Sequence, residues 1–144
     1  MTTPKLGRKK QHRERTLRNL ATSLVLYETV RTTEAKAHAV LPMVERLITK
    51  ASTGSLDARR TAKAILFDTG AVAKLFEDLE TRRGTRTSGF VRLTKLPPRG
   101  GDGAAMAQLE LLLTPLEAVL QATSGAKVTV RKAATTPTVE EPAS

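Results

Sequence analysis

The stretch FVRLTKLPPRGGDGAAMAQLELLL, residues 90–113, decides the fold class. In residues 106–113 apolar and polar side chains alternate, which is the period-two pattern of a strand buried on one face. Residues 90–96 predict a second strand, and the proline- and glycine-rich residues 97–103 predict the loop between them. The sequence therefore predicts a β-hairpin in the second half of the chain.

Upstream of the hairpin, helical periodicity dominates. Apolar residues recur at helical spacing from about His12, and the β-branched run in residues 28–33 predicts one short strand. Together with the hairpin this gives three strands. We expect a single α+β domain, with about four helices packed on a small mixed three-stranded sheet.

The other helices are predicted from their caps. Thr33 is a candidate N-cap for the second helix, which contains Pro42 and is expected to be one kinked helix. Ser55 is a candidate cap for a third helix reaching Phe67. A fourth helix is expected to begin near Gly70, on the spacing of its apolar residues.

Three regions follow along the chain. Residues 1–11 lack apolar periodicity and predict an extended basic N-terminal arm; residues 12–113 form the compact domain. Residues 114–144 are a C-terminal extension, predicted to hold a short helix that begins at Thr114-Pro115 and then a disordered tail.

Composition excludes several classes of protein. The chain has no cysteine, so disulfides, thiolate zinc sites and thiol catalysis are excluded. Its four aromatic residues are too few for the stacking platforms of a typical single-strand binder. No stretch has the apolar length of a secretory signal or a membrane span. We expect a soluble, cytoplasmic protein with an aliphatic core.

Charge is concentrated in two segments, which we call the N-terminal basic segment (residues 5–18) and the second basic segment (residues 82–99). They hold 13 of the 24 basic residues but one of the 14 acidic residues. This pattern is typical of a protein that binds a polyanion, most readily a nucleic acid, at two places. The basic residues are Lys5, Arg8, Lys9, Lys10, Arg13, Arg15 and Arg18 in the first segment, and Arg82, Arg83, Arg86, Arg92, Lys95 and Arg99 in the second.

No catalytic, metal or cofactor site is predicted. His12 and His38 are the only histidines, and their separation matches no acid–base pair or metal motif; we expect His12 to contact RNA instead. The glycine-rich residues 100–103 lack the Lys-Ser/Thr ending of a phosphate-binding loop, so no small-molecule substrate is expected. Asn19, beside Arg18, is a candidate for a polar contact with a sugar or base edge; the alternative is an exposed helical asparagine with no such contact.

An ordered set of short phrases runs through the chain. The phrases are Lys5-Leu6-Gly7-Arg8, His12-Arg13, Arg18-Asn19-Leu20-Ala21, Thr32-Thr33-Glu34-Ala35-Lys36-Ala37, Leu47-Ile48-Thr49-Lys50, Lys74-Leu75-Phe76, Gly89-Phe90-Val91-Arg92-Leu93, Arg99-Gly100-Gly101-Asp102, Met106-Ala107 and Glu110-Leu111. In this order and spacing they resemble the bacterial large-subunit ribosomal protein family numbered seventeen. The set covers roughly residues 5–113 and is specific as a whole.

The resemblance implies a structural, non-enzymatic component of the large ribosomal subunit that functions in translation. It implies contacts with large-subunit ribosomal RNA near the exit of the polypeptide tunnel, and with neighbouring ribosomal proteins. The arm, the helix around Arg18-Asn19 and the loops at residues 82–89 and 99–103 would contact the RNA. The alternative is a DNA-binding or nucleoid-associated protein, since a helix with outward arginines can enter a groove of DNA.

Overall fold

The computed structural model describes residues 4–84 and 86–113. The helices are α1 (Lys10–Tyr27), α2 (Glu34–Ala51), α3 (Leu56–Ile65) and α4 (Thr69–Lys74); α4 continues through a π-helical segment (Leu75–Leu79) into one last turn, α5 (Glu80–Arg82). The strands are β1 (Thr29–Thr33), β2 (Val91–Leu96) and β3 (Met106–Leu111). The α+β class, the three strands and the hairpin of β2 and β3 are confirmed.

The sheet is antiparallel rather than mixed. Its strand order is β1-β3-β2, and β3 pairs antiparallel with both neighbours. The strands β1 and β2 run in the same direction, but β3 lies between them, so no parallel pair forms. The second strand of the hairpin, β3, therefore pairs with β1, which lies between α1 and α2 in the sequence.

An aliphatic core lies between the sheet and the helices. Helix α2 contributes seven of the buried residues, including Val40 and Val44, which is more than any other element, and it packs against α1 and all three strands. Leu109 from β3 and Phe90, just before β2, are each 1% exposed. Burying one Val, Leu, Ile or Phe side chain contributes about 1.5–3 kcal/mol. Because aliphatic side chains contribute as much as Phe, the core needs few aromatic residues.

The predicted helix boundaries are nearly those observed. Ser55 caps α3 as predicted, its hydroxyl accepting a 3.2 Å hydrogen bond from the Ala58 amide. Thr33 occupies the N-cap position of α2 but accepts no such bond. Helix α2 passes through Pro42 as a single helix, whereas α3 ends at Ile65, before the predicted end.

The arm is partly folded against the domain. Residues 5–8 form a tight turn, closed by a 3.2 Å hydrogen bond from the Arg8 amide to the Lys5 carbonyl. Leu6 and Gly7 both have φ near +60°, and the Leu6 side chain packs against the core. The arm is therefore not simply extended. The helix and tail predicted for residues 114–144 lie outside the described residues.

Candidate nucleic-acid interface

The N-terminal basic segment presents its charge on the outer side of α1. The apolar stripe of this helix is buried through Leu17, Ala21 and Leu24, which turns the opposite face to solvent. Lys5, Lys9, Lys10 and Arg15 are exposed, and Arg8, Arg13 and Arg18 are half-buried. Within residues 4–84 and 86–113, none of these seven cations forms an ion pair.

Three predicted site residues on α1 share one strip of the helix. His12, Arg15 and Asn19 are three and four positions apart, the spacing that places side chains above one another on a helix. All three are exposed. The first turn of α1 contains no acidic residue, so the partial positive charge of the helix N-terminus adds to that of the lysines. This part of the surface is suited to binding an anion.

The second basic segment behaves differently, because acids that lie outside the segment form ion pairs with most of its cations. Arg82 donates hydrogen bonds of 2.7 and 3.0 Å to the two carboxylate oxygens of Glu28, and one of 3.1 Å to Asp78. Its side chain is only 12% exposed. Such a bidentate, charge-assisted pair fixes the guanidinium in place. Arg82 therefore has the environment of a structural residue.

Glu28 is the centre of this ion-pair cluster. The Arg82 hydrogen bonds lower the pKa of Glu28 to about 2; burial opposes this shift, and Lys74, 2.8 Å away, adds to it. The same carboxylate raises the pKa of Arg82. Glu28 has a φ of 62°, a left-handed conformation that is uncommon for a residue other than glycine, at the C-cap of α1. The cluster thus joins the end of α1 to α4 and α5.

The neighbouring arginine is also paired. Arg83 donates a 2.8 Å hydrogen bond to Glu80 and one of 2.7 Å to the Arg86 carbonyl. Acidic residues near the C-terminal end of a helix are unfavourable, because they repel the negative end of the helix dipole. Two of the acids here, Asp78 and Glu80, are neutralised by their ion pairs with Arg82 and Arg83. Asp78 precedes Arg82 by four positions and Glu80 precedes Arg83 by three, both favourable helical spacings.

Two further cations of the segment form exposed ion pairs. Lys95 lies 2.9 Å from Glu34, and this contact lowers the pKa of Glu34 and raises that of Lys95. Arg99 makes two hydrogen bonds to Asp102 across the hairpin loop. Side chains this exposed gain little from pairing, so a phosphate can replace the carboxylate as their partner.

Arg86 and Arg92 are the cations of the second segment without an acidic partner in the part of the chain that the structure describes. Arg86 donates a 3.3 Å hydrogen bond to the Gly89 carbonyl, and Arg92 lies exposed on β2. The predicted site residues thus divide into unpaired cations, exposed pairs and the enclosed Arg82. Sequence reasoning missed the structural role of Arg82 because Glu28 lies 54 positions before it.

One exposed cation near Arg92 was also missed. Arg31 lies on β1, and its side chain is on the same face of the sheet as that of Arg92. It stands alone in the sequence, outside both basic segments. The available signal was its place at the centre of the β-branched run of residues 29–33, where alternate residues point outward.

The described residues offer neither a metal site nor a membrane-spanning helix. Among the described residues, no group of three or more acidic or histidine side chains could hold a metal ion. No described helix has the length and apolar character to cross a membrane.

Comparison with known proteins agrees with the resemblance noted in the sequence. The family model described as Ribosomal protein L17 matches residues 16–112. Three similar proteins are each named large ribosomal subunit protein bL17. The Caldanaerobacter subterraneus protein is 45% identical over 112 residues, 78% of this chain and 100% of that protein. The Solibacter usitatus protein is 49% identical over 108 residues, 75% of this chain and 72% of that protein.

The third relative, from Chloroherpeton thalassium, is 45% identical over 108 residues; the match covers 75% of this chain and 64% of that longer protein. The family model matches well over half of the chain, and the matched residues span most of the α+β domain described above. The chain therefore belongs to the ribosomal protein L17 family, and it is a structural component of the bacterial large ribosomal subunit rather than an enzyme.

Proposed function

We propose that this chain binds large-subunit ribosomal RNA near the exit of the polypeptide tunnel, with the N-terminal basic segment as its main anchor. The observation that carries the proposal is the set of seven cations on the arm and α1 that have no acidic partner among the described residues. Unpaired cations are free to displace the counterions condensed on phosphates, and this release drives binding.

The second basic segment has a supporting part in this proposal. Arg86 and Arg92 are free to contact phosphates, and Lys95 and Arg99 can do so by exchanging one exposed partner for another. Arg82 acts from within the domain, where its hydrogen bonds to Glu28 hold the helical turn α5 in place. The tunnel-exit location and the neighbouring ribosomal proteins come from the family resemblance.

The apolar core makes this anchoring rigid. Since A-form RNA hides its base edges in a deep groove, a protein recognises its phosphates, 2′-hydroxyls and irregular junctions. A packed block of helices and strands holds the cations at fixed separations, so less conformational entropy is lost when the chain binds RNA. Bacterial ribosomes are cytoplasmic, and translation is the process in which this structural role would be exercised.

The test is sedimentation of the tagged full chain from a bacterial lysate on a sucrose gradient at high magnesium. The wild-type chain should be recovered with large subunits. A variant with Arg8, Lys9, Lys10 and Arg13 replaced by Ala should shift toward the top of the gradient. Recovery of the wild-type chain as free protein would contradict the proposal, and recovery with the nucleoid would also favour the DNA-binding alternative.

A charge-matched control separates the anchor from general electrostatics. Lys36, Arg46, Arg60 and Lys63 lie outside both basic segments on α2 and α3, and they form no ion pair among the described residues. The variant with these four replaced by Ala loses the same charge. It should remain with the large subunits, because its arm and α1 are intact. Equal loss of both variants would contradict the role assigned to the N-terminal basic segment.

A further inference from the structure

One face of the sheet is left uncovered by the residues that the structure describes. Buried residues such as Ala107, Leu109 and Leu111 point toward the helices, and alternate residues point the other way. We call the opposite side the open sheet face. Among the described residues none of its side chains is buried. They are Thr29, Arg31 and Thr33 on β1, Met106, Gln108 and Glu110 on β3, and Arg92, Thr94 and Leu96 on β2.

The polar residues of the open sheet face stand in register. Thr29, Glu110 and Arg92 form one row across the three strands, and Arg31, Gln108 and Thr94 form the next. One arginine therefore lies on each edge strand, on a diagonal of roughly 12 Å between Cα atoms, from the spacing of strands and of residues along them. The two guanidinium groups flank a central line of amide and carboxylate groups.

A hydrogen-bond relay sets the orientation of Arg31. Its Nε donates a 2.9 Å hydrogen bond to Oε1 of Gln108, and Nε2 of Gln108 donates a 2.5 Å bond to Oε1 of Glu110. Because Nε is used within the sheet, the two terminal nitrogens of Arg31 are left for an external partner. Glu110 thus acts as a positioning residue, and the relay occupies the one acid on the face.

This surface has the wrong chemistry for some partners. It carries no aromatic residue that could stack a base, so it does not resemble a single-strand platform. Its apolar residues are confined to the row of Thr33, Met106 and Leu96 at one end, which is a small area for a stable protein interface. What remains is a flat array of guanidinium, hydroxyl and amide groups with net positive charge.

We propose that the open sheet face binds double-stranded ribosomal RNA across its minor groove; this inference rests on the proposed function. The minor groove of A-form RNA is wide and shallow and displays 2′-hydroxyl groups, so a flat polar surface can approach it. Arg31 and Arg92 contact phosphates, for which the guanidinium fork is well matched. Thr29, Thr94 and Gln108 exchange hydrogen bonds with 2′-hydroxyl groups, which DNA lacks.

The test compares variants of the full chain for binding to an RNA duplex of about 16 base pairs and to the DNA duplex of the same sequence. The R31A/R92A double variant should bind the RNA duplex about tenfold more weakly than wild type, because two charge-assisted contacts are lost. The R31K/R92K variant keeps the charge without the fork and should lose less. Binding to the DNA duplex should change little in either variant.

The control removes two cations from a different surface. Arg60 and Lys63 are exposed on α3, and the R60A/K63A variant should bind the RNA duplex within about twofold of wild type. Thermal unfolding checks that each variant is folded. If R31A/R92A binds RNA as R60A/K63A does, the open sheet face is not an RNA site.

The possible failures are distinguishable. If the wild-type chain sediments with large subunits while R31A/R92A binds the RNA duplex normally, the sheet proposal fails and the proposed function stands. If R31A/R92A binds RNA normally but is lost from large subunits, the face meets a protein, which also overturns the sheet proposal. A wild-type chain that is not recovered with large subunits would contradict the proposed function itself.

Discussion

Arg82 donates two hydrogen bonds, of 2.7 and 3.0 Å, to the carboxylate of Glu28, which lies 54 positions earlier in the chain. The pair joins the C-cap of α1 to α5, and Asp78 and Lys74 complete the cluster. The basic neighbours of Arg82 in the sequence predict that it contacts RNA. Its pairing with Glu28 gives it a structural role in the domain instead. Charge density along the sequence locates an interface only where the fold leaves the charges unpaired.

The first prediction concerns this pair. Arg82→Ala should lower the free energy of unfolding by about 2 kcal/mol, because it leaves a partly enclosed carboxylate with Lys74 as its remaining strong partner. Denaturant unfolding measures the change. The exposed Arg60→Ala variant should stay within about 0.5 kcal/mol of wild type. A loss of RNA affinity without loss of stability in Arg82→Ala would show that Arg82 is a ligand rather than a structural residue.

The second prediction is the dependence of stability on pH. Hydrogen bonds from Arg82 hold the pKa of Glu28 near 2, below the ordinary value of 4.5. The folded chain thus binds this proton more weakly than the unfolded chain, so the stabilisation is complete above pH 4.5 and is lost as the pH falls toward 2. We expect Glu28 to account for about 2 kcal/mol of the fall in unfolding free energy across that range.

A matched variant isolates the contribution of Glu28. The pKa of Asp102 is also lowered to about 2, mainly by Arg99, so the wild-type profile contains more than one titration. Glu28→Gln removes only the first of these. Its unfolding free energy should fall less steeply between pH 4.5 and 2, and profiles of equal slope would contradict the assigned pKa.

The third prediction concerns the hairpin loop between β2 and β3. Asp102 receives hydrogen bonds from Arg99 and from the Ala104 amide, and the Gly103 amide donates to the Arg99 carbonyl. Asp102→Ala removes the side-chain bonds, so the Gly103 and Ala104 amides should exchange hydrogen faster. The melting temperature should hardly change, because the ion pair is exposed.

Amide exchange measured by NMR tests this prediction residue by residue. The amides of β3, such as that of Leu109, are the internal control and should keep their wild-type protection. Unchanged exchange at residues 103 and 104 would show that the glycines and prolines alone hold the loop.

Local sequence patterns predicted most of the helices and strands. Alternation in residues 106–113 identified β3, and helical spacing together with Ser55 identified α1 and α3, because these signals depend on neighbours in sequence. The pairing of β1 with β3 depends on the packing of α1 and α2 and has no local signature. The sequence therefore predicted three strands but not their antiparallel order.

The candidate interface was less accessible to sequence reasoning. The exposure of Arg15 and Asn19 followed from the helical period of α1. The pairing of Lys95 with Glu34 required strand β2 to lie beside the start of α2, which no local pattern states. Arg31 was missed for the same reason, because its neighbour Arg92 is brought near by the sheet.

The salt dependence of binding to large-subunit ribosomal RNA tests the central claim most directly. Each phosphate contact contributes about 0.7–0.9 to the slope of log affinity against log salt. Replacing Arg8, Lys9, Lys10 and Arg13 by Ala should therefore reduce the slope by about three. Replacing Lys36, Arg46, Arg60 and Lys63 should leave the slope near the wild-type value. A slope that the first variant does not change would contradict the claim that the N-terminal basic segment anchors the chain to RNA.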